Sequence, residues 1–417
     1  MAGQIFQRGA FRSSALAVSL LFLGFFSCKV YDASLLEPAP GSDIERKDGI
    51  GWWSKNDDRG CFSASAPGPA DRPAAADPKD VGPIILAIDT MRLGSLGPKG
   101  DLDPNAWKDL GFDLDGVCTA SDTCESTDPP PSCKAGASAL PRDGKYCRDN
   151  TFGRLEYAAA LVPELTTKYG LSDDRFNCAL CVGDYNFIIR ITGYNGQPND
   201  DHLRVDLYPS PGLEKILPWD CSRPDWKTHP CFQTDMPWTI EEGATVDGRG
   251  GPALGDSKIF DDGAYARDGY LVMKLPENVL FWFPGYKALV VAYPLRFQNG
   301  IIAGKLTHGT DNLWRISDGM IGGRALGTDV IGGFRLMGFC DTTDPTNYDL
   351  MSTFVNSNLD VLGNGGFDSN TPCNAMSVGI AFTALQATAG RVEHVDPLVE
   401  CNVRGDAGAD AADAGDQ

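Results

Sequence analysis

Apolar and polar side chains alternate most regularly within residues 185–210. This segment contains two runs with a period of two, separated by the polar sequence GYNGQPNDDH. A period of two is typical of a strand with one buried face, and Gly, Asn, Pro and Asp favour tight turns. We therefore predict a β-hairpin whose buried face packs against a second layer. The alternating apolar residues are Phe187, Ile189 and Ile191 in the first run and Leu203, Val205 and Leu207 in the second.

Strand patterns recur on both sides of this hairpin. Gly (48 residues) and Pro (28 residues) are frequent, which favours many turns and short strands over long helices. The pattern predicts a mainly β fold, namely an antiparallel β-sandwich of jelly-roll or lectin-like kind with a few short helices and disulfide-stapled loops. The further strand segments are 84–91, 271–275, 289–297, 301–306, 313–316 and 376–384.

Three helices are predicted beside the strands. Asn150 is expected to cap a helix over residues 151–169, which Pro163 should kink or end. A second helix is expected to follow Thr328 as its N-cap, and a third to run through residues 348–359.

Residues 1–27 predict an export signal. Two arginines precede an apolar run that is shorter than the about 20 residues needed to span a membrane. The segment ends in FFSC, which resembles the lipobox of bacterial lipoproteins, although the two phenylalanines depart from the usual residues. That resemblance implies that Cys28 is lipidated. Because Lys29 rather than Asp follows, it also implies a lipid anchor in the outer membrane, with the body facing the periplasm or the cell surface.

The remaining chain divides by composition. Residues 28–82 are rich in Pro and Ala and predict a semi-rigid tether. Residues 83–403 form the predicted body, and residues 404–417 an acidic, disordered tail that cannot bury a core. Two adjacent tryptophans and Cys61 are unusual for a tether; they either dock on the body through a disulfide or form an exposed aromatic contact surface.

Thirteen cysteines are present. If Cys28 carries lipid, the other twelve could form six disulfides, which is typical of an oxidising compartment. Residues 109–150 hold four of them and predict an irregular loop ordered by its bridges. Cys221 and Cys231 are near enough in sequence to pair. The CxxC sequence at 178–181 is interpreted as part of structural disulfides rather than as a redox motif. The disulfide candidates are Cys118, Cys124, Cys133, Cys147, Cys221, Cys231, Cys340 and Cys373.

Several short segments together resemble a known group of proteins. The segments GFDLDGVC, CRDNTFGRL, TGYNGQPND, GMIGGRA and MSVGIAFTA are similar to uncharacterised cysteine-rich secreted lipoproteins of the myxobacterial type. The resemblance covers about residues 47–401. It implies a cellular location and a fold family, but no activity.

Asp113, Asp115 and Asp122 follow part of the spacing of a calcium-binding loop. The first position of that loop is then a glycine, which offers no carboxylate, so Asp109 or Asp149 would have to complete the set of oxygen ligands. The preferred interpretation is a turn whose aspartates bind only the backbone, so no cofactor is predicted. The alternative is a structural Ca²⁺ at this loop.

Three tryptophans lie in one predicted loop region. Exposed indoles can stack on sugar rings or on partner surfaces, whereas buried indoles would anchor a disulfide loop. These residues are Trp219, Trp226 and Trp238.

Acidic residues also gather within 256–268. Two carboxylates could serve glycoside hydrolysis, and the alternative is a solvated acidic loop. The sequence contains no G-x-S-x-G elbow and no HExxH motif. The four carboxylates are Asp256, Asp261, Asp262 and Asp268.

The formal net charge of −20 disfavours nucleic acid as a partner. The sequence therefore predicts a lipid-anchored protein of the bacterial outer membrane that acts as a non-catalytic module and binds a glycan or another envelope protein. Two alternatives stay open. One is a carbohydrate-active hydrolase that uses carboxylates of residues 256–268, and the other is a purely structural envelope protein.

Overall fold

The computed structural model describes residues 55–56, 62–75, 78–119, 131–136, 142–168, 172–218, 221, 226–281, 294–342, 344–396 and 401. Eight antiparallel strands in these ranges close into a barrel. The strands are Ile84–Arg92 (β1), Asn186–Thr192 (β2), Asp200–Ser210 (β3), Ile259–Arg267 (β4), Tyr270–Lys274 (β5), Gln298–His308 (β6), Trp314–Leu326 (β7) and Ala375–Gln386 (β8). Each strand pairs with the next one along the chain, and β8 returns to pair with β1.

The mainly β class is confirmed, but the predicted β-sandwich is wrong. The barrel closes between β1 and β8, where Met91 lies opposite Phe382. Alternation along a strand indicates which of its faces is buried, but it does not indicate whether the last strand returns to the first. A sandwich and a closed barrel are therefore both compatible with the same sequence pattern.

The predicted hairpin is confirmed as β2 and β3. Its register runs from Asn186 opposite Ser210 to Thr192 opposite Arg204. The predicted first and last strands are also present, as β1 and β8. These elements combine a long period-two pattern with clear turn residues, which is the combination that fixes both strand and register.

Large apolar side chains fill the barrel interior. Phe187 stacks on Phe281 with ring centroids 4.0 Å apart, and Phe281 meets Phe297 edge-on at 5.8 Å. Each fully buried side chain of this size contributes about 1.5–3 kcal/mol. Polar residues such as Arg324 and Ser377 alternate with interior residues of β7 and β8, so they point to the outer side.

Five α-helices within the described ranges accompany the barrel. Asn150 caps the first by accepting from the backbone nitrogen of Gly153 at 3.0 Å, as predicted. The predicted break at Pro163 is also confirmed, because a second helix begins there. The helices are Thr151–Ala160 (α1), Pro163–Lys168 (α2), Asp173–Val182 (α3), Gly327–Leu336 (α4) and Pro345–Ser357 (α5).

The predicted N-cap at Thr328 is wrong. Strand β7 runs directly into α4, so Leu326 is the capping residue and Gly327 is the first helical residue. The CxxC sequence at 178–181 lies within α3.

Short strand pairs cover parts of the barrel. The pair formed by Pro237–Glu241 and Thr388–Glu393 packs Trp238 and Ile240 against the outer residues Ile188 and Tyr208. This outer layer buries a second face of the sheet, so the strands of this part are apolar on both sides. The pairs are Lys55–Asn56 with Phe62–Ser63, Leu280–Phe281 with Leu295–Arg296, Cys133–Lys134 with Asp368–Pro372, and Pro237–Glu241 with Thr388–Glu393.

Five disulfides join described residues. Cys221 and Cys231 do not pair with each other. Each binds one cysteine of α3, Cys178 and Cys181 respectively, so the interpretation of the CxxC sequence as part of structural disulfides is confirmed. The bridges are Cys118–Cys147, Cys133–Cys373, Cys178–Cys221, Cys181–Cys231 and Cys340–Cys401.

Several predictions fall outside the described residues. They concern the export signal with Cys28, the aromatic patch with Cys61, Asp122, Cys124, Trp219 and the tail 404–417. Residues 62–75, which the sequence assigns to the tether, lie against the barrel instead. No helix within the described ranges is long and apolar enough to cross a membrane.

Candidate metal centre

Three aspartates converge beside the Cys118–Cys147 bridge, on the outer side of the barrel. Asp113, Asp115 and Asp149 each place one carboxylate oxygen within 4.8 Å of the others. The first two lie on the loop that follows buried Phe112, and the third lies next to the residue that caps α1. We refer to these three residues as the acidic cluster.

Backbone contacts hold the loop that follows Phe112 against the segment that precedes α1. The backbone nitrogen of Asp149 donates to the carbonyl of Phe112 at 2.9 Å, and the two residues form an antiparallel bridge. Gly111 has a φ of +99°, and a Cβ there would lie 2.7 Å from the carbonyl oxygen of Asp149. Only glycine fits this position, because it combines a left-handed backbone with a close approach of another chain segment.

Backbone amides orient the carboxylates. Asp113 accepts from the nitrogen of Gly116 at 2.7 Å, and Asp149 accepts from that of Leu114 at 2.7 Å. Asp115 accepts from the amide two residues later at 2.8 Å. A carboxylate oxygen has two lone pairs, so an oxygen that accepts one amide hydrogen can still bind a cation.

Two further aspartates surround the acidic cluster. Asp143 accepts from the hydroxyl of Thr119 at 2.5 Å. Asp360 accepts from the hydroxyl of Ser377 at 2.6 Å. The charges of both act on Asp149, and burial gives these interactions more weight than they would have in water.

Arg324 compensates part of this negative charge. Its side chain is 5% exposed, and its guanidinium donates to the backbone carbonyl of Leu114. Burial lowers the pKa of Arg324, while the charges of Asp149 and Asp115 act in the opposite direction.

Burial and like charge raise the pKa values of the carboxyls at this site. Burial, followed by the charges of Asp115 and Asp143, raises the pKa of Asp149 well above its usual range. Burial also raises the pKa of Asp143 and of Asp115, and it raises the pKa of Asp360 to about 6. A bound divalent cation would relieve this repulsion, because it supplies the opposite charge at the same place.

We expect the metal-free protein to lose stability as the pH rises from about 4 to about 6. The pKa of Asp360 is about 6 in the folded chain, against 3.8 as its ordinary value, so the folded state binds more protons in this interval. Each such group lowers the free energy of unfolding by up to about 1.4 kcal/mol per pH unit. Urea titrations in EDTA at pH 4, 5, 6 and 7 measure this slope. Asp360→Asn should flatten it, and an equal slope in that variant would contradict the assignment.

The structure brings together part of the predicted calcium ligands. Asp113 and Asp115 belong to that set, and Asp149 was one of the two residues expected to complete it. Asp109, the other, is exposed and is not among the three converging carboxylates. Carboxylate oxygens are the ligands that Ca²⁺ prefers in proteins, so the acidic cluster has the donor chemistry of a calcium site.

The two described tryptophans of the predicted loop region are buried. Trp238 is fully buried and packs edge-on against Phe232, with ring centroids 4.9 Å apart. Trp226 is 7% exposed and donates from Nε1 to Asp174 at 3.1 Å. Both are therefore anchors of the disulfide-bonded region rather than exposed stacking surfaces.

The predicted acidic loop at 256–268 is largely strand β4. Asp261 and Asp262 are consecutive strand residues, so their side chains point to opposite faces. Asp256 forms an ion pair with Arg190 at 2.7 Å. This arrangement gives no support to a pair of facing carboxylates of the kind that glycosidases use.

Comparison with known proteins gives no relative for this chain. No family model, no curated protein and no solved structure matches it.

Proposed function

We propose that this chain is an exported protein of the bacterial outer membrane, anchored by lipid at Cys28, that binds a glycan or another envelope protein and is stabilised by Ca²⁺ at the acidic cluster. The observation that carries the proposal is the convergence of Asp113, Asp115 and Asp149. The membrane anchor is supported by the lipobox-like sequence alone.

The acidic cluster favours a cation on electrostatic grounds. Two carboxylates about 5 Å apart repel each other by about 3 kcal/mol at an effective dielectric constant of about 20. Three of them lie within such a distance, and the charges of Asp143 and Asp360 add to the repulsion. A Ca²⁺ ion with carboxylate and carbonyl ligands at 2.3–2.6 Å would convert this repulsion into attraction.

The disulfides support export. Ten cysteines form five bridges among the described residues. Disulfides of this number persist in the periplasm and at the cell surface, but not in a reducing cytosol.

The barrel supports a binding role over a catalytic one. Its interior is packed with apolar side chains. Of the four carboxylates considered for hydrolysis, Asp256 is engaged by Arg190, and Asp261 and Asp262 lie on opposite faces of β4. Binding would then use the outer faces and the loops. A purely structural role remains the alternative outcome of the experiment below.

The proposal predicts that Ca²⁺ raises the melting temperature of the disulfide-intact protein. A ligand at about 100 times its dissociation constant adds about 2.7 kcal/mol to the free energy of unfolding, which is a shift of several degrees or less in a body of this size. Melting is followed in EDTA, in Ca²⁺, and in Ca²⁺ with a panel of envelope polysaccharides. A further shift with one polysaccharide supports glycan binding.

Asp149→Asn is the matched test of the metal site. It should abolish the Ca²⁺ shift, because it removes a ligand charge while keeping the side-chain shape. Asp262→Asn, at an exposed carboxylate of β4, is the control and should keep the full shift. An equal Ca²⁺ shift in both variants would exclude the acidic cluster as the site. A shift with Ca²⁺ but with no polysaccharide would favour a protein partner or a structural role.

A further inference from the structure

We propose that Asn364 is a modification site, at which the chain converts its own side-chain amide to a carboxylate by spontaneous deamidation. The inference concerns a covalent change of the chain and goes beyond the proposed binding role. Asparagine followed by glycine is the pair most prone to this reaction, because glycine shields its own backbone nitrogen least and turns most freely. The sequence contains three such pairs, which begin at Asn195, Asn299 and Asn364.

The reaction needs only the asparagine, the next backbone nitrogen and water. The nitrogen of Gly365 gives up its proton and attacks Cγ of Asn364, so that a bond forms between these two atoms. The bond from Cγ to Nδ2 breaks, and Nδ2 leaves with a proton as ammonia. Water then opens the cyclic imide at one of its two carbonyl carbons. The product is aspartate, or isoaspartate if the backbone now runs through Cγ.

A hydrogen bond at Asn364 favours this attack. Oδ1 of Asn364 accepts from the backbone nitrogen of Gly366 at 2.9 Å, which folds the side chain back over the peptide that contains the nitrogen of Gly365. The same donor stabilises the negative charge that develops on Oδ1 as the new bond forms. The nitrogen of Gly365 itself donates to the carbonyl of Leu362 at 3.1 Å. Because residues 364–366 are exposed, this turn opens at little cost in free energy.

The turn at Asn195 contains the same bond but is held closed. Oδ1 of Asn195 accepts from the nitrogen of Gln197 at 2.8 Å. Asn195 is however only 1% exposed, and its Nδ2 donates to the carbonyl of Asn199 at 3.0 Å. Its backbone nitrogen donates to the carboxylate of Asp200 at 2.7 Å. The leaving amide is therefore bonded and shielded from water, so the reaction requires the β2–β3 turn to open first.

The third pair is held by strand β6. Gly300, which follows Asn299, is buried, and a Cβ on it would lie 2.7 Å from the side chain of Leu275. The carbonyl of Gly300 accepts from the nitrogen of Leu275 at 2.8 Å. The nitrogen of Gly300 cannot turn toward Cγ of Asn299 without loss of these contacts. Of the three pairs, the one at Asn364 is therefore the most reactive in the folded chain.

Deamidation at Asn364 would add a negative charge close to a buried cation. A Cβ on Gly365 would lie 3.6 Å from Nη1 of Arg324. Nε of Arg324 is buried and has no hydrogen-bond partner among the described residues. A carboxylate one residue away would attract this guanidinium. The reaction is thus a time-dependent change of charge at a defined place on the barrel surface.

Peptide mapping by mass spectrometry tests the proposal on the full, disulfide-intact chain, incubated for several weeks at pH 7.5 in water enriched in oxygen-18. The peptide with Asn364 should deamidate at least about tenfold faster than the peptide with Asn195, should carry the heavy oxygen, and should include isoaspartate. In the reduced chain unfolded in urea, both pairs should react at similar rates, because only the fold distinguishes them.

Two variants assign the product. Asn364→Gln keeps the amide but would have to close a larger ring, so it should remove the acidic species that the parent chain forms with time. Asn364→Asp should elute with that species on anion exchange, because it carries the same added charge.

Two outcomes would overturn the proposal. One is an equal rate of deamidation at Asn364 and Asn195 in the folded chain, since the difference in exposure and bonding would then have no effect. The other is a reaction at Asn364 that occurs in the unfolded chain but not in the folded one, since the turn would then protect its amide.

Discussion

The double variant Cys133→Ser/Cys373→Ser should lose about 5 kcal/mol of its free energy of unfolding, the largest effect expected from any of the five described bridges. The two cysteines are 240 residues apart in sequence. In the chain-entropy model, a bridge restricts the unfolded chain more when it closes a longer loop. Urea titration of the otherwise oxidised protein measures the loss.

The matched control for this variant is Cys178→Ser/Cys221→Ser. That bridge closes a separation of 43 residues, for which the same model gives about 4 kcal/mol. Both bridges have a buried cysteine in a packed region. A greater loss for the shorter loop would contradict the entropic explanation and would point to strain or packing in the folded state.

Asn150→Ala should cost about 4 kcal/mol. The side chain of Asn150, a residue that is 1% exposed, caps α1 and also bonds both backbone groups of Gly379 on β8, at 2.9 and 3.0 Å. Loss of the cap costs about 1 kcal/mol. Each buried backbone group of Gly379 that is left without a partner adds about 1–3 kcal/mol. The free energy of unfolding from urea titration measures the sum.

Asn356→Ala is the control for this substitution, because it makes the same chemical change at an exposed position of α5. It should change the free energy of unfolding by less than about 0.5 kcal/mol. If Asn150→Ala also costs less than about 1 kcal/mol, the backbone of Gly379 must find another partner, and Asn150 acts only as a helix cap.

The sequence predicts the local elements of this fold better than their assembly. The β2–β3 hairpin, β1, β8 and the cap at Asn150 all follow from patterns within about 30 residues. The closure of the barrel depends on pairing between β1 and β8, and no local pattern contains that information. For the same reason, the sequence indicates only that Cys221 and Cys231 are near enough to pair with each other, whereas in the fold each bonds a cysteine of α3.

The residues of the candidate site were predictable only where they lie close together in sequence. Asp113 and Asp115 are two residues apart, and Asp149 lies in the same cysteine-rich segment, so spacing and composition indicated them. Asp360 follows α5 and lies more than 200 residues after Asp149 in sequence. It comes to the site only through the packing of β8, where it bonds Ser377. The exposure of Trp226 and Trp238 was not predictable, because an indole in a loop sequence carries no sign of whether another segment covers it.

The seam between β1 and β8 also sets the order in which the chain can fold. The hydroxyls of Thr90 and Thr383 meet at 2.7 Å across this seam, although 293 residues separate them in sequence. Contacts of such high sequence separation slow folding. The edge of β1 that pairs with β8 therefore stays open until nearly all of the chain is available for folding. Such an edge invites pairing with other chains, so if the protein is exported as proposed, its folding should depend on holding chaperones in the compartment where its disulfides form.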